Sequence, residues 1–363
     1  MMKKYLTIGG VVLAILLVLV IYPFYKWVFA PSVRIPDGDT YDLYIPTGAD
    51  YTYVGEKLLE DRVITNPEGF QRVARQMNYH RHVYPGRYVL HEGMSNRELI
   101  QLLRSGSQTP IQFTFVKFRR PEDFALHTSE RLELSKTELM AVLEDEAFLS
   151  EFGLTPETAL GIMIPNTYEM YWSKNKTSAK EFVRRMYKEY RAFWNDSRRA
   201  QRQRLGLTRQ EVMTLASIVE EETNKADERA TVAGVYLNRI RKKMRLEADP
   251  TVKYAVGDFT IKRVLNSHLE YDSPYNTYMY AGIPPGPICT PSIPSIDAVL
   301  ADERHDYIFF CAKADGSGYH HFSKTLSEHL AYARNYHRFL DTNRIGFRDR
   351  SAPKDSSQQA SQE

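Results

Sequence analysis

Three consecutive carboxylates close an apolar run at Met213-Thr-Leu-Ala-Ser-Ile-Val-Glu-Glu-Glu-Thr223, the stretch of this 363-residue chain best equipped for chemistry. The run reads as a helix, each side chain turned by about 100° from the last. On that wheel Val212, Met213, Leu215, Ala216, Ile218 and Val219 cover one apolar arc. Glu220 falls beside Met213 and Ala216, Glu222 falls between Leu215 and Ile218, and Glu221 is expected to face solvent. A carboxyl in apolar surroundings resists ionisation, which keeps a general acid loaded near neutral pH. An inward glutamate tied to an arginine or a backbone group gives the same pattern, so periodicity leaves catalysis and structure both open.

Other chemistries find less support. His80-Arg81-His82 lacks a third ligand at a telling spacing and reads as an exposed basic loop. His320 and His321 alternate on a strand and point to opposite faces, so with His329 they make a poor metal site. No nucleophile-elbow motif is present. Cys289 and Cys311 are the only cysteines, too few for a disulfide framework or a cysteine-based zinc site. A single bond between them stays open. With a net charge of +3 and no long basic block, the composition gives no sign of a nucleic-acid partner.

The elements that must position the carboxylates are legible around them. Thr208-x-x-Glu211 is a capping box, with Leu207 and Val212 as its hydrophobic staple, so the start of the acidic helix is defined. Further boxes at Ser95/Glu98, Ser135/Glu138 and Ser178/Glu181 start other helices, the second expected to run to about Phe148. Tyr41–Ile45, Arg87–Leu90 and Ile111–Val116 read as strands, with helices near 53–59 and 70–77. Gly282-Ile-Pro-Pro-Gly-Pro287 forbids regular helix and suits a rigid loop. Tyr307–Ala312 reads as a buried strand, turned by Asp315–Gly318 into Tyr319–Phe322. The final helix runs from Ser327 to Leu340.

At the other end, Lys3 and Lys4 precede a charge-free apolar segment over 5–25, long enough to span a bilayer as a helix. The aromatic residues Tyr22, Phe24, Tyr25 and Trp27 suit the interface. The expected organisation is α+β: a cytoplasmic tail (1–4), a transmembrane anchor (5–25), a linker (26–40) and a small α+β module (41–110). A larger mixed α+β domain (111–346) and a disordered polar tail (347–363) follow.

Leu215-Ala-Ser-Ile-Val-Glu-x-Glu-Thr223, Val235-Tyr-Leu-Asn-Arg239, Asp249-Pro-Thr-Val252, Tyr275-Asn-Thr-Tyr278 and Gly282-Ile-Pro-Pro-Gly-Pro-Ile288 occur together in this order. This set resembles the MltG (YceG-like) family of endolytic murein transglycosylases. The resemblance implies a LysM-like small module and a catalytic acid at the first glutamate of the motif, Glu220, with Glu222 in support. It places Asn238, Asp249, Tyr254, Tyr275, Asn276 and Tyr278 along the substrate cleft. It also implies non-hydrolytic cleavage of the β-1,4 bond between N-acetylmuramic acid and N-acetylglucosamine, giving 1,6-anhydro ends without metal or organic cofactor. The implied partners are peptidoglycan strands, the bilayer and the membrane-bound synthases, with the catalytic domain on the periplasmic side of the inner membrane. Glu247-Ala-Asp249 and Tyr319-His-His321 depart from the usual pattern and touch the substrate contacts, not the acid. The competing reading is an anchored, non-catalytic peptidoglycan-binding or division scaffold.

Overall fold

The computed structural model describes residues 18–343, except residues 20 and 37. Most of the anchor expected over 5–25, and the tail from 347, lie outside the described residues. Residues 21–28 are helical, and among the described residues no helix is long and apolar enough to cross a membrane. The architecture is mixed α+β, mostly helical with three two-stranded antiparallel sheets among the described residues.

The chain divides into two compact units. The first takes the chain up to Phe115, together with Glu122–Leu143 and Asn166–Arg185. Strand β1 (Thr40–Ile45) pairs with β2 (Gly86–His91), from Thr40 opposite His91 to Ile45 opposite Gly86. The alternation that predicts these strands also sends Leu43, Ile45, Tyr88 and Leu90 inward, all fully buried. Helices α1 (Tyr51–Glu60), α2 (Pro67–Gln76) and α3 (Asn96–Ser105) supply Val54, Leu58, Phe70, Leu99 and Leu103 to the same core. The segment read as a linker joins that core. Val28 and Val33 are buried in it, and Pro31 and Val33 bridge to Ser95 and Ile64. Beyond it, β3 (Ile111–Thr114) pairs with β4 (Thr167–Met170). Phe113 and Phe115, with Phe124 from helix α4 (Pro121–Ser129), then form an aromatic cluster with Tyr168 and Phe182.

The helix expected from Ser135 to Phe148 is two helices, α5 (Lys136–Leu143) and α6 (Glu146–Ser150). Asp145 breaks it, because its side chain accepts a hydrogen bond from Phe148 N and starts a new helix. Next come α7 (Pro156–Ala159), α8 (Ala179–Phe193) and α9 (Asp196–Leu205).

The second unit takes Val116–Pro121, Glu144–Pro165 and the chain from Met186. Its central helix is α10 (Arg209–Glu222), in which every residue from Val212 to Val219 is buried. Around α10 pack α11 (Arg229–Arg241), α12 (Asp249–Val256) and α14 (Ile293–Ala301), with the short α13 (Asn266–Leu269) following α12. The hairpin β5 (Phe309–Ala312) and β6 (His320–Ser323) is covered by α15 (Leu326–Thr342). Strand β5 is half-buried along its length, where the apolar run predicts full burial. Cys289 and Cys311 are both free thiols.

The capping box that starts α10 is complete. Thr208 N donates to Glu211 Oε2 at 2.7 Å and Glu211 N donates to Thr208 Oγ1 at 3.1 Å. Thr208→Ala should therefore cost about 1 kcal/mol, the usual worth of such a cap. Urea titration would show it as a lower midpoint with an unchanged slope.

Candidate active site

The last turn of α10 points its three glutamates into three different environments. Glu220 is half-buried, and its Oε2 is gripped by the start of α14. The hydroxyls of Ser292 and Ser295 each donate to that oxygen at 2.5 Å, and Ser292 N donates to it at 3.3 Å. Among the described residues no donor reaches Oε1.

Glu221 does not face solvent as the wheel predicts. Its side chain is only 11% exposed and pairs with Lys117 at 2.9 Å and Arg119 at 2.8 Å. Burial pushes its pKa up, but the hydrogen bonds and charges of Arg119 and Lys117 outweigh burial and hold it below the ordinary carboxylate range. The wheel fails because it treats the helix alone. Residues 116–121 cross the outer side of α10, pinned where Thr290 N donates to Phe118 O and Phe118 N to Thr290 Oγ1.

Glu222 is the most perturbed of the three. Burial pushes its pKa up to about 8, aided by the neighbouring Asp249 carboxylate, while a hydrogen bond from the Tyr236 hydroxyl and the charge of Lys253 pull the other way. Tyr236, wholly buried, is driven well above the ordinary phenol range by burial and by Glu222. Asp249 opens α12 and accepts a hydrogen bond from Tyr278 at 2.7 Å. Tyr278 in turn is raised by burial and by the charges of Asp249 and Glu222. Glu222, Tyr236, Asp249 and Tyr278 thus form one coupled acidic cluster.

Tyr254 and Tyr275 lie side by side, ring centroids 4.7 Å apart. The Tyr275 hydroxyl lies against Gly286 of the proline-rich loop. A Cβ on Gly286 would fall 2.0 Å from Glu157 O and 3.1 Å from that hydroxyl, so the close approach requires glycine.

The two asparagines do other work. Asn238 Nδ2 donates to His305 O at 2.7 Å and Tyr307 O at 3.0 Å, holding α11 to the approach of β5. Asn276, fully buried, donates to Leu269 O and Tyr271 O and accepts from Tyr278 N, which staples its own loop. The structure does not bring their donors to the acidic cluster.

The histidines separate. His320 Nδ1 lies 2.9 Å from Glu228, His321 stacks on Tyr332, and His329 stacks on Phe309. Among the described residues no group of three His, Cys, Asp or Glu is placed to hold a metal ion.

The profile of the YceG-like family matches residues 43–335, which includes the acidic helix and every element around it. The chain belongs to this family. Over 312 residues it is 30% identical to the endolytic murein transglycosylase of Bacillus subtilis strain 168, covering 82% of this chain and 85% of that one. It is 26% identical over 299 residues to the endolytic murein transglycosylase of Streptococcus pneumoniae serotype 2, covering 74% of this chain and 53% of the longer relative. A crystal structure of a YceG-like protein from Listeria monocytogenes superposes with a TM-score of 0.52 at 27% identity, covering 81% of this chain and 99% of that one.

Within this YceG-like chain, sequence reasoning misses five residues that touch the carboxylates: Lys117, Arg119, Tyr236, Ser292 and Ser295. Ser292-Ile-Pro-Ser295 carries a signal of its own, a serine before a proline-started helix, but it reads as an ordinary cap. The Ser292 side chain makes no cap hydrogen bond and turns to Glu220 instead.

Proposed function

We propose that this protein is a lytic transglycosylase that cleaves the β-1,4 bond between N-acetylmuramic acid and N-acetylglucosamine in peptidoglycan, with Glu220 as its acid and base. The observation that carries the reading is the asymmetry of the Glu220 carboxyl, one oxygen held by three donors and the other without one among the described residues. The names of the relatives supply the reaction class. Protonated Glu220 donates to the glycosidic oxygen as the bond to C1 breaks through an oxocarbenium-like state. The carboxylate then takes the proton of the C6 hydroxyl of the same muramic residue as O6 bonds to C1, leaving a 1,6-anhydro end and a loaded acid. Because the substrate supplies its own nucleophile, one carboxyl suffices where hydrolases use two.

Glu222 supports the site, and Asp249, Tyr254, Tyr275 and Tyr278 line the cleft. Tyrosine faces and phenol hydroxyls suit a sugar chain, which needs both apolar stacking and hydrogen bonds. The apolar stretch at 5–25 anchors the protein in the inner membrane with the catalytic domain outside the cytoplasm. The 41–110 module is LysM-like and binds glycan. Such an anchored enzyme would act within nascent strands, near membrane-bound synthases, and so end their elongation.

Digestion of purified peptidoglycan by the detergent-solubilised full chain tests this, with products identified by mass spectrometry. The expected products are fragments ending in 1,6-anhydromuramic acid, lighter than the hydrolytic products by roughly 18 Da, one water, because the attack is intramolecular. Reducing ends would make the protein a hydrolase. No cleavage under any condition would leave a binding scaffold.

A further inference from the structure

The stretch from Ile288 to Ser295 runs along the last turns of α10 and grips it repeatedly. Ile288 N donates to Ser217 Oγ at 2.9 Å, and the Cys289 thiol lies 3.5 Å from Ser217 O. Thr290 holds the Lys117–Arg119 segment that binds Glu221. Ser292 and Ser295 then close on Glu220. Ser295 is fully buried, an expensive place for a hydroxyl unless it has a partner, and its partner is the carboxylate.

All three contacts converge on one oxygen. The Ser292 N–H can only donate, so Oε2 accepts there, and with both serine hydroxyls donating to it as well its lone pairs are occupied. We propose that Ser292 and Ser295 are positioning residues of the transglycosylase reaction, which saturate Oε2 of Glu220 so that the transferable proton sits on Oε1. This rests on Glu220 being the acid. In the first half-reaction the proton leaves Oε1 for the glycosidic oxygen as C1–O cleaves. In the second, Oε1 recovers a proton from the C6 hydroxyl as the O6–C1 bond forms. Oε2 stays an acceptor throughout, so the carboxyl need not rotate between steps. Fixed direction matters because proton transfer and ring closure both need near-attack geometry, and small misplacements of a catalytic group cost orders of magnitude in rate.

Ser292→Ala, Ser295→Ala and the double variant are compared with the parent by initial rates on peptidoglycan. Each single change should lower kcat about 10-fold and the pair about 100-fold, the scale expected for a misaligned group. KM should hold, because no substrate contact is lost. Ser292→Thr, which keeps the hydroxyl at a half-buried position, should recover most of the rate while Ser292→Ala does not. A structural role alone would lower Tm and leave kcat intact. An unchanged kcat in the double variant overturns the proposal. The underlying reading fails separately, if Glu220→Gln keeps activity. Should the double variant not fold, the Ser292→Ala and Ser292→Thr pair decides the question.

Discussion

Glu220→Gln is expected to reduce anhydro-product formation by roughly 1,000-fold or more, near the upper range for losing a general acid that also serves as base. Folding should be retained. The amide oxygen of the substituted side chain can take the place of Oε2 and accept from Ser292 and Ser295 as the carboxylate does. The amide NH2 then occupies the Oε1 position, where it has no proton that can be transferred at neutral pH. The change therefore deletes chemistry and keeps shape, so Tm should stay near that of the parent and the variant should still sediment with peptidoglycan. Full activity in Glu220→Gln would move the acid elsewhere, first to Glu222. Glu221 is the poorest substitute of the three, because Lys117 and Arg119 hold it ionised.

Local rules account for what the sequence alone tells of this site. The start of α10 is legible because Thr208 and Glu211 lie three residues apart and satisfy each other's backbone. The inward direction of Glu222 is legible because the apolar arc beneath it is continuous. The misreading of Glu221 has a different origin. Its partners come from residues 117 and 119, about a hundred positions away, and no periodicity within one helix reports a strand-exit segment crossing it. The serine pair is hidden for a related reason. A serine ahead of a helix is ordinarily a cap, and only the packing of α14 against α10 shows that a carboxylate has replaced the cap contact. Asn238 and Asn276 show the converse limit. A family motif marks them, yet the structure commits their donors to backbone carbonyls that tie loops in place. A motif records which residues a site needs, and it does not separate those that meet substrate from those that hold the walls.

Glu222→Gln should change how stability depends on pH more than how much stability there is at pH 5. Burial lifts the Glu222 pKa from 4.5 to about 8 in the folded protein. Between those two values the unfolded chain has released this proton and the folded chain still holds it. The unfolded state therefore binds fewer protons, and the stability that the buried carboxyl permits at low pH is lost steadily as pH rises. Above about 8 the folded protein ionises too and the loss levels off. At about 1.4 kcal/mol per unit of pKa difference, the accumulated loss is on the order of a few kcal/mol by pH 8. A glutamine side chain at this position is neutral at every pH and can accept the Tyr236 hydroxyl through its amide oxygen, so it mimics the protonated acid without the penalty. Urea midpoints of parent and variant should nearly coincide at about pH 4.5 and diverge towards about pH 8, with the variant the more stable. Other titrating groups contribute to both curves and cancel in the difference. Parallel curves would mean that Glu222 is already ionised in the folded protein, and that the acidic cluster with Asp249 and Tyr278 carries a second charge at neutral pH rather than a stored proton.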